Sequence, residues 1–482
     1  MTEFYFTGKD LIEMGMKPGP HFKPLIAELN ATLQANRDAP EEVTDKLFAD
    51  IIAKHTPAPV TQYPLQPSVP FETFLIPEND AERDNAESVF ATMRELMKTP
   101  TVVRGSVMPD ACPAGPLGTI PVGGVVTTRN AIHPGMHSAD VCCSLMVTEL
   151  GDVDPTKTLD IAQSLCHFGA GGHRTPVEAL PKALEDRIRG NRFYTKERDK
   201  AIDLARHHLR TVGASNHFIY VGRSEKTGQV CIVTHHGSRG FGADLYANGM
   251  KVAEEFRLKH SRETLAQNAW IPLDSEDGAD YMEGLAIAHD WTVLNHTSLH
   301  DAVLKGLGVS GGKRLFSPHN FTFVDHADPT LIHHAKGATP VDNRLLTLPQ
   351  EMMVIPMNMA EPVLLVKQGK QNRTGFAPHG AGRTMTRTQF RKTTAHLTEG
   401  ELLARETVGI DARFYCGTPD TSELPSAYKS AASVQRDMAH FGLADVLDRI
   451  QPVGCIMAGD VDRNAPWKRK AAAKKKAKQA AV

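Results

Sequence analysis

The stretch PAPVTQYPLQPSVPFETFLIPEN, residues 57–79, carries six prolines and breaks every hydrophobic period around it. Proline fixes its own φ and removes a backbone donor, so neither a helix nor a central strand runs through such a segment. The chain is therefore divided before anything else is known about it. Residues 1–56 are expected as an amino-terminal helical hairpin, 57–79 as a linker, 80–463 as the main body and 464–482 as a tail. A chain of 482 residues exceeds the usual size of one domain and has ample material for a large core.

In the first segment, TGKDLIEMGMKPGPHFKPLIAEL reads as a short helix, a turn at Pro18-Gly19-Pro20 and a second helix with Phe22, Leu25, Ile26 and Leu29 on one face. In the body a helix is expected over 80–98, and strands near 101–104, 120–127 and 145–150. KERDKAIDLARHHLRTVG has the spacing of an amphipathic helix ending at Gly213, and HFIYVGRSEKTGQVCIVTH that of a hairpin turning at Lys226-Thr227-Gly228. Helical patterns dominate 244–306 and 425–449, with strands near 321–325 and 352–366. The mixed order points to an α+β fold with mixed β-sheets and surrounding helices, plus the amino-terminal helical extension.

Hydrophobic residues make up 41% of the chain and charged residues 23%, and no apolar run approaches the roughly 20 residues of a membrane helix. The amino terminus, MTEFYFTGKDLIEMG, lacks the basic-then-apolar order of a signal peptide, and the seven cysteines are scattered. A cytoplasmic protein with reduced thiols is expected. The formal charge of −2 hides seven basic residues in WKRKAAAKKKAKQAAV. That tail is either a solubilising appendage or a tether for a phosphate backbone.

Twenty-two histidines are many for this length. Taken alone, each is an ordinary core or surface histidine. In company they form a set: HSADVCCS supplies Asp140 and Cys143, SNHF supplies Asn216 and His217, THHGSRG supplies His235, and SPHNF supplies His319. A carboxylate, a thiolate and three imidazoles are divalent-metal ligands by type. His236 faces away from His235 if both lie on a strand, so it is the expected non-ligand of the pair. Ser238 and Arg239, and Lys336 further on, are candidate phosphate contacts. FAPHGAGRTMTR places His379 before Gly380-Ala381-Gly382, with Arg383 and Arg387 following. Small residues beside an imidazole suit the approach of a phosphorylated group, with the arginines offsetting its charge.

The segments MPDACPAGPLGTIPVGG, HPGMHSADVCCS, NHF, HHGSRGFG, PHNF, HHAKGAT and PHGAGRTMTR resemble, in their order, the motifs of the RtcB family of RNA ligases, over about residues 85–458. The resemblance implies a central metal cleft and an enzyme using GTP and two Mn²⁺ ions to join an RNA 3′-phosphate or 2′,3′-cyclic phosphate to a 5′-hydroxyl, in RNA repair or tRNA splicing. It implies Cys143 as a bridging thiolate, one ion completed by His235 and His319 and the other by Asp140 and His217. It implies Asn216 as a phosphate contact and His379 as the nucleophile that takes GMP, with Asn358, Gly380, Gly382 and Arg383 beside the nucleotide. An archease-like helper protein is a further implied partner. The chain departs from the pattern at Cys112, where the family carries histidine, and at three positions that read guanine in the family, here Tyr220, Asn358 and Met457. Base selectivity is thereby opened to question. A metal-dependent phosphoesterase on the same scaffold is the alternative; it predicts a dispensable His379. A non-catalytic RNA-end-binding module is a third reading, and it predicts degraded metal ligands. The amino-terminal TGKDLIEMGMKPGP is similar to a segment in the helical tail of tRNA nucleotidyltransferases; a plain packing hairpin is the competing reading.

Overall fold

The computed structural model describes residues 5–56, 60–169, 171–194, 198–346 and 349–460. The basic tail and the first prolines of the expected linker lie outside the described residues. The chain divides into two compact units at Gln62/Tyr63.

The smaller unit holds three helices where the sequence suggested two: Gly8–Glu13, Phe22–Ala35 and Glu41–His55. The third starts after Pro40 with Glu41 and Glu42 in its first turn and ends on Lys54 and His55, a charge order that complements the helix dipole. Leu11, Leu25, Leu29 and Ile51 are buried together, with Phe48 and Ile52 packed against them. The third helix thus covers the apolar face that a two-helix hairpin would leave wet.

The larger unit is built on one twelve-stranded sheet. Its strands in chain order are β1 (Phe71–Thr73), β2 (Val102–Cys112), β3 (Val122–Arg129), β4 (Cys143–Gly151), β5 (Phe218–Ser224) and β6 (Val230–His236). They continue with β7 (Arg314–Val324), β8 (Leu331–Lys336), β9 (Met353–Ile355), β10 (Val363–Gln368), β11 (Asp411–Phe414) and β12 (Ala444–Met457). In space the order is β1-β2-β3-β8-β7-β4-β6-β5-β12-β10-β9, with β11 beside β12. Only β1–β2 and β11–β12 pair in parallel, which makes the sheet mixed and the fold α+β. The central strands are buried along nearly their whole length, and the helices Pro155–Leu165 and Glu276–Leu307 pack on one face. Trp291, Leu299 and Val303 of the longer helix are fully buried. The hairpin β5–β6 turns where expected, with Gly228 in the left-handed region at φ 70° that its turn requires.

Two expected helices end sooner than their patterns suggested. The helix expected to run to Gly213 is Arg198–His207, and Thr211–Gly213 is a short strand. The helical pattern over 425–449 becomes the helix Ala431–His440, after which β12 begins at Ala444. Pairing with β10 and β5 overrides local propensity there, since ADVLDRIQPVGCIM fills the place between those two strands.

From Tyr63 onward the proline-rich stretch belongs to the larger unit. Tyr63 N donates to His260 O at 2.8 Å, and the Gln66 amide donates to the carbonyls of Thr99 and Val102, both at 2.8 Å. Ile76 N donates to Asp437 at 2.8 Å. Residues between the prolines supply the donors that proline lacks, and β1 sits at a sheet edge where proline neighbours are tolerated. The segment acts as a strap. Gln66→Ala leaves two carbonyls without their donor, so the larger unit is expected to lose about 1–2 kcal/mol in chemical denaturation; a free linker would show no loss.

Candidate functional site

Five potential ligands converge where β4, β5, β6 and β7 lie side by side. Cys143 opens β4, His217 immediately precedes β5, His235 lies near the end of β6 and His319 lies on β7. The β7 register against β4 shifts between Pro318 and Asn320, a bulge that re-aims His319. The loop before β4 is held in unusual backbone, with Ser138 at φ 77° and Cys142 at φ 56°. Asn320 ties that loop down: its carbonyl accepts from Cys142 N at 2.8 Å and its amide donates to Asp140 O at 3.4 Å. The Asn320 side-chain oxygen accepts from Gly337 N at 2.7 Å. The asparagine of the PHNF motif is thus a clamp that the sequence reading passed over.

The ligand atoms of Cys143, His235 and His319 lie within 4.8 Å of one another, as do those of Asp140, Cys143 and His217. Cys143 Sγ is 3.3 Å from His217 Nε2 and 3.2 Å from His235 Nε2, so the thiol is common to both groups. His235 Nε2 and His319 Nε2 are 3.1 Å apart. His235 donates from Nδ1 to the Asn216 carbonyl at 3.1 Å, which leaves its Nε2 lone pair facing the centre. Arg239 Nη1 donates to His217 Nδ1 at 3.4 Å, so a neutral His217 carries its proton on Nε2, between Cys143 and Asp140 Oδ2 at 2.9 Å. A cation can take the place of that proton.

The electrostatics agree. Burial, reinforced by neighbouring imidazoles, holds His235 and His319 well below the usual histidine range and therefore neutral. Burial and the Asp140 charge push the Cys143 thiol well up. Enclosure opposes ionisation of Asp140, but His217 and Arg239 outweigh it and hold the carboxyl well below the usual range. Crowding unprotonated nitrogens, a thiol and a carboxylate is unfavourable unless a cation is shared among them. The donor set fits one or two divalent ions. His236 lies on the other face of β6, stacked on His296 at 3.5 Å, as strand alternation required.

Beside this cluster sits His379, its ring 4.8 Å from that of His319. Asp110, at the end of β2 and fully buried, accepts three bonds on Oδ2: from His379 Nδ1 at 2.6 Å, His379 N at 3.0 Å and Gly380 N at 3.3 Å. A carboxylate only accepts, so the Nδ1 of a neutral His379 carries the proton and Nε2 keeps its lone pair. Gly337, at φ 65°, passes under the ring; a Cβ there would lie 2.9 Å from His379 Cε1. Lys429 Nζ donates to the carbonyls of Pro109 and Ala111 at 3.0 and 2.7 Å, bracing the Asp110 turn from behind.

His379 opens into a cavity of about 280 Å³ that reaches Asn216, Tyr220, Asn358 and Met457. The structure gives several candidate residues other jobs than those expected. Gly382, which lines the cavity, also has a structural reason to be glycine: it sits at φ 72° with a Cβ position 1.9 Å from the Asp110 carbonyl, where two backbones meet. Arg383 is occupied by Glu423 at 3.4 Å and by the Ser422 carbonyl at 2.7 Å, and lies over the Tyr428 ring. Arg387 pairs with the same buried Glu423 at 2.7 Å. Ser238 is buried with its hydroxyl donating to Val141 O at 2.6 Å. Lys336 reaches the Ile120 carbonyl at 3.2 Å, and burial lowers it to about 8. Arg239 remains beside Asp140 and His217. Glu423, Tyr428 and Lys429 carried no motif signal, and their placement follows only from the loop that returns after β11.

The sequence model of the family described as tRNA-splicing ligase RtcB matches residues 178–458. The RNA-splicing ligase RtcB of Escherichia coli K12 is 26% identical over 367 residues, covering 70% of this chain and 86% of its own length. The tRNA-splicing ligase RtcB of Archaeoglobus fulgidus is 27% identical over 297 residues, covering 53% of this chain and 60% of its own. The RNA-splicing ligase RtcB of Mycobacterium tuberculosis is 26% identical over 295 residues, covering 54% and 66%.

Cys143→Ala is expected to abolish retention of divalent metal in elemental analysis, because the thiol is shared by both ligand groups. Cys142→Ala, a core change, should leave metal content intact. Gly382→Ala should destabilise the fold by about 2 kcal/mol or more in denaturant, through both its positive φ and the backbone contact.

Proposed function

Because the chain belongs to the RtcB family, we propose that it is an RNA ligase that seals a 3′-phosphate or 2′,3′-cyclic phosphate end to a 5′-hydroxyl end, using GTP and Mn²⁺, in RNA repair or tRNA splicing. The observation that carries this reading is the His379 ring, held at Nδ1 by Asp110 and lining a cavity beside the Asp140, Cys143, His217, His235 and His319 group. A thiol and imidazoles alone also suit zinc; manganese comes from the family resemblance.

Divalent ions held by the five ligands would withdraw charge from the phosphates and so lower the barrier to attack. His379 Nε2 attacks the α-phosphorus of GTP, forming the N–P bond as the bond to diphosphate breaks. Asp110 keeps the proton on Nδ1 and stabilises the positive charge that grows on the ring. A 2′,3′-cyclic end must first be opened by water, which breaks the P–O2′ bond and leaves a 2′-hydroxyl and a 3′-phosphate. The GMP then passes from Nε2 to an oxygen of the RNA 3′-phosphate as the N–P bond breaks, and the ring returns to its starting tautomer. The RNA 5′-hydroxyl then attacks the activated end and GMP leaves. Arg239 lies close enough to the cluster to offset phosphate charge, and Asn216 borders the same opening. RNA is the polymeric substrate. The basic tail and an archease-like helper stand as proposed accessories, and no helix among the described residues is long and apolar enough to cross a membrane.

Incubation with Mn²⁺ and labelled GTP should give an acid-labile, alkali-stable adduct in the intact protein and none in His379→Ala, with ligation lost alongside. Asp110→Asn should keep the ring in place but lose two or more decades of adduct formation, since a neutral amide can hold the wrong tautomer. Cleavage of cyclic phosphate that persists in His379→Ala without any adduct would favour a phosphoesterase instead.

A further inference from the structure

The cavity next to His379 has an unusual polar inventory. Five of its lining residues carry sulfur: Cys112, Met357, Met359, Cys455 and Met457. Its one carboxylate is Glu423, already receiving Arg383, Arg387 and the Tyr428 hydroxyl. The Tyr220 hydroxyl is already committed, donating to Ile450 O at 2.7 Å. The Asn358 side-chain oxygen accepts from Ala360 N at 3.0 Å, which uses one of its lone pairs and turns the NH₂ group into the main donor Asn358 can offer a ligand. No lysine lines the space.

Resting on the ligase reading above, we infer that the base pocket does not select guanine and that the protein charges His379 from ATP as well as GTP. Guanine presents N1–H and an amino group on its Watson–Crick edge and needs acceptors there; the lining side chains around Asn358 hold no uncommitted carboxylate to supply them. Adenine presents N1 as an acceptor, which an Asn358 donor can meet, and guanine O6 meets the same donor equally well. Thioethers adapt their shape to any flat ring and contact its face without reading its edge. A site of this kind separates ring analogues weakly, by roughly 10- to 200-fold, whereas a site built on matched hydrogen bonds reaches about 10⁴-fold. Asn358 is the residue from which discrimination can be rebuilt, because Asn358→Asp keeps the oxygen that caps Ala360 and turns the donor into an acceptor.

The test uses the full chain with Mn²⁺. Labelled GTP and ATP compete for adduct formation on His379, and binding of unlabelled GTP and ATP to His379→Ala is measured by calorimetry. The inference expects adducts from both nucleotides at rates within about 200-fold, matched by affinities in His379→Ala that differ by no more than that. It further expects Asn358→Asp to shift the GTP:ATP ratio toward GTP by at least about tenfold, in binding as in adduct formation. An adduct from GTP alone, with ATP failing to bind His379→Ala, overturns the inference and leaves the ligase reading standing; backbone carbonyls would then be reading guanine. An adduct from neither nucleotide overturns the ligase reading and this inference with it.

Discussion

The three hydrogen bonds that Asp110 accepts on one oxygen join two distant parts of the chain at His379. A buried carboxylate is costly unless its partners are fixed, and here they are the backbone and ring of the residue whose chemistry matters. The same contact demands glycine at 382, where the loop backbone meets the Asp110 carbonyl, and draws Lys429 behind the turn. One strand end therefore sets the tautomer, the position and the backbone path of His379. The cluster around Cys143 depends on a comparable device, with Asn320 tying the Asp140 loop to β7.

These two constructions meet because the sheet order interleaves distant strands. β4 lies between β7 and β6, and β5 follows, so residues from four separate stretches share one end of the sheet. The family's sequence match begins at residue 178, downstream of Asp110, Asp140 and Cys143. Folding brings these upstream residues to the downstream ligands. The group of potential ligands around Cys143 and the His379 ring thus adjoin one cavity, with Arg239 close to the ligand group and Asn216 bordering the cavity.

Much of this was legible in the sequence, for reasons that can be named. Ligand types grouped in short motifs, strand alternation that sends His235 and His236 to opposite faces, and glycine turns all act locally, and local signals survive in a linear reading. The strap at 63–79 was not legible, because proline counts report lost donors but not the Gln66 and Tyr63 bonds that replace them. Arg383 and Ser238 read as phosphate contacts by type, but their bonds to Glu423 and the Val141 carbonyl were not legible. Glu423 itself had no signal: a lone acid in SELPSAYK declares itself only when two arginines and a tyrosine fold around it. The switch from helix to strand after His440 was likewise decided by an open place between β10 and β5.

The central claim is that Asp110 holds the proton of His379 on Nδ1 and leaves Nε2 free to react. Nitrogen-15 spectra of protein labelled in its imidazole rings, compared with His379→Gln to identify the signals of this residue, report the protonation of each nitrogen directly. The account predicts a protonated Nδ1 and a bare Nε2 at neutral pH, with the distinction lost in Asp110→Ala. A proton found on Nε2 in the intact protein would contradict it.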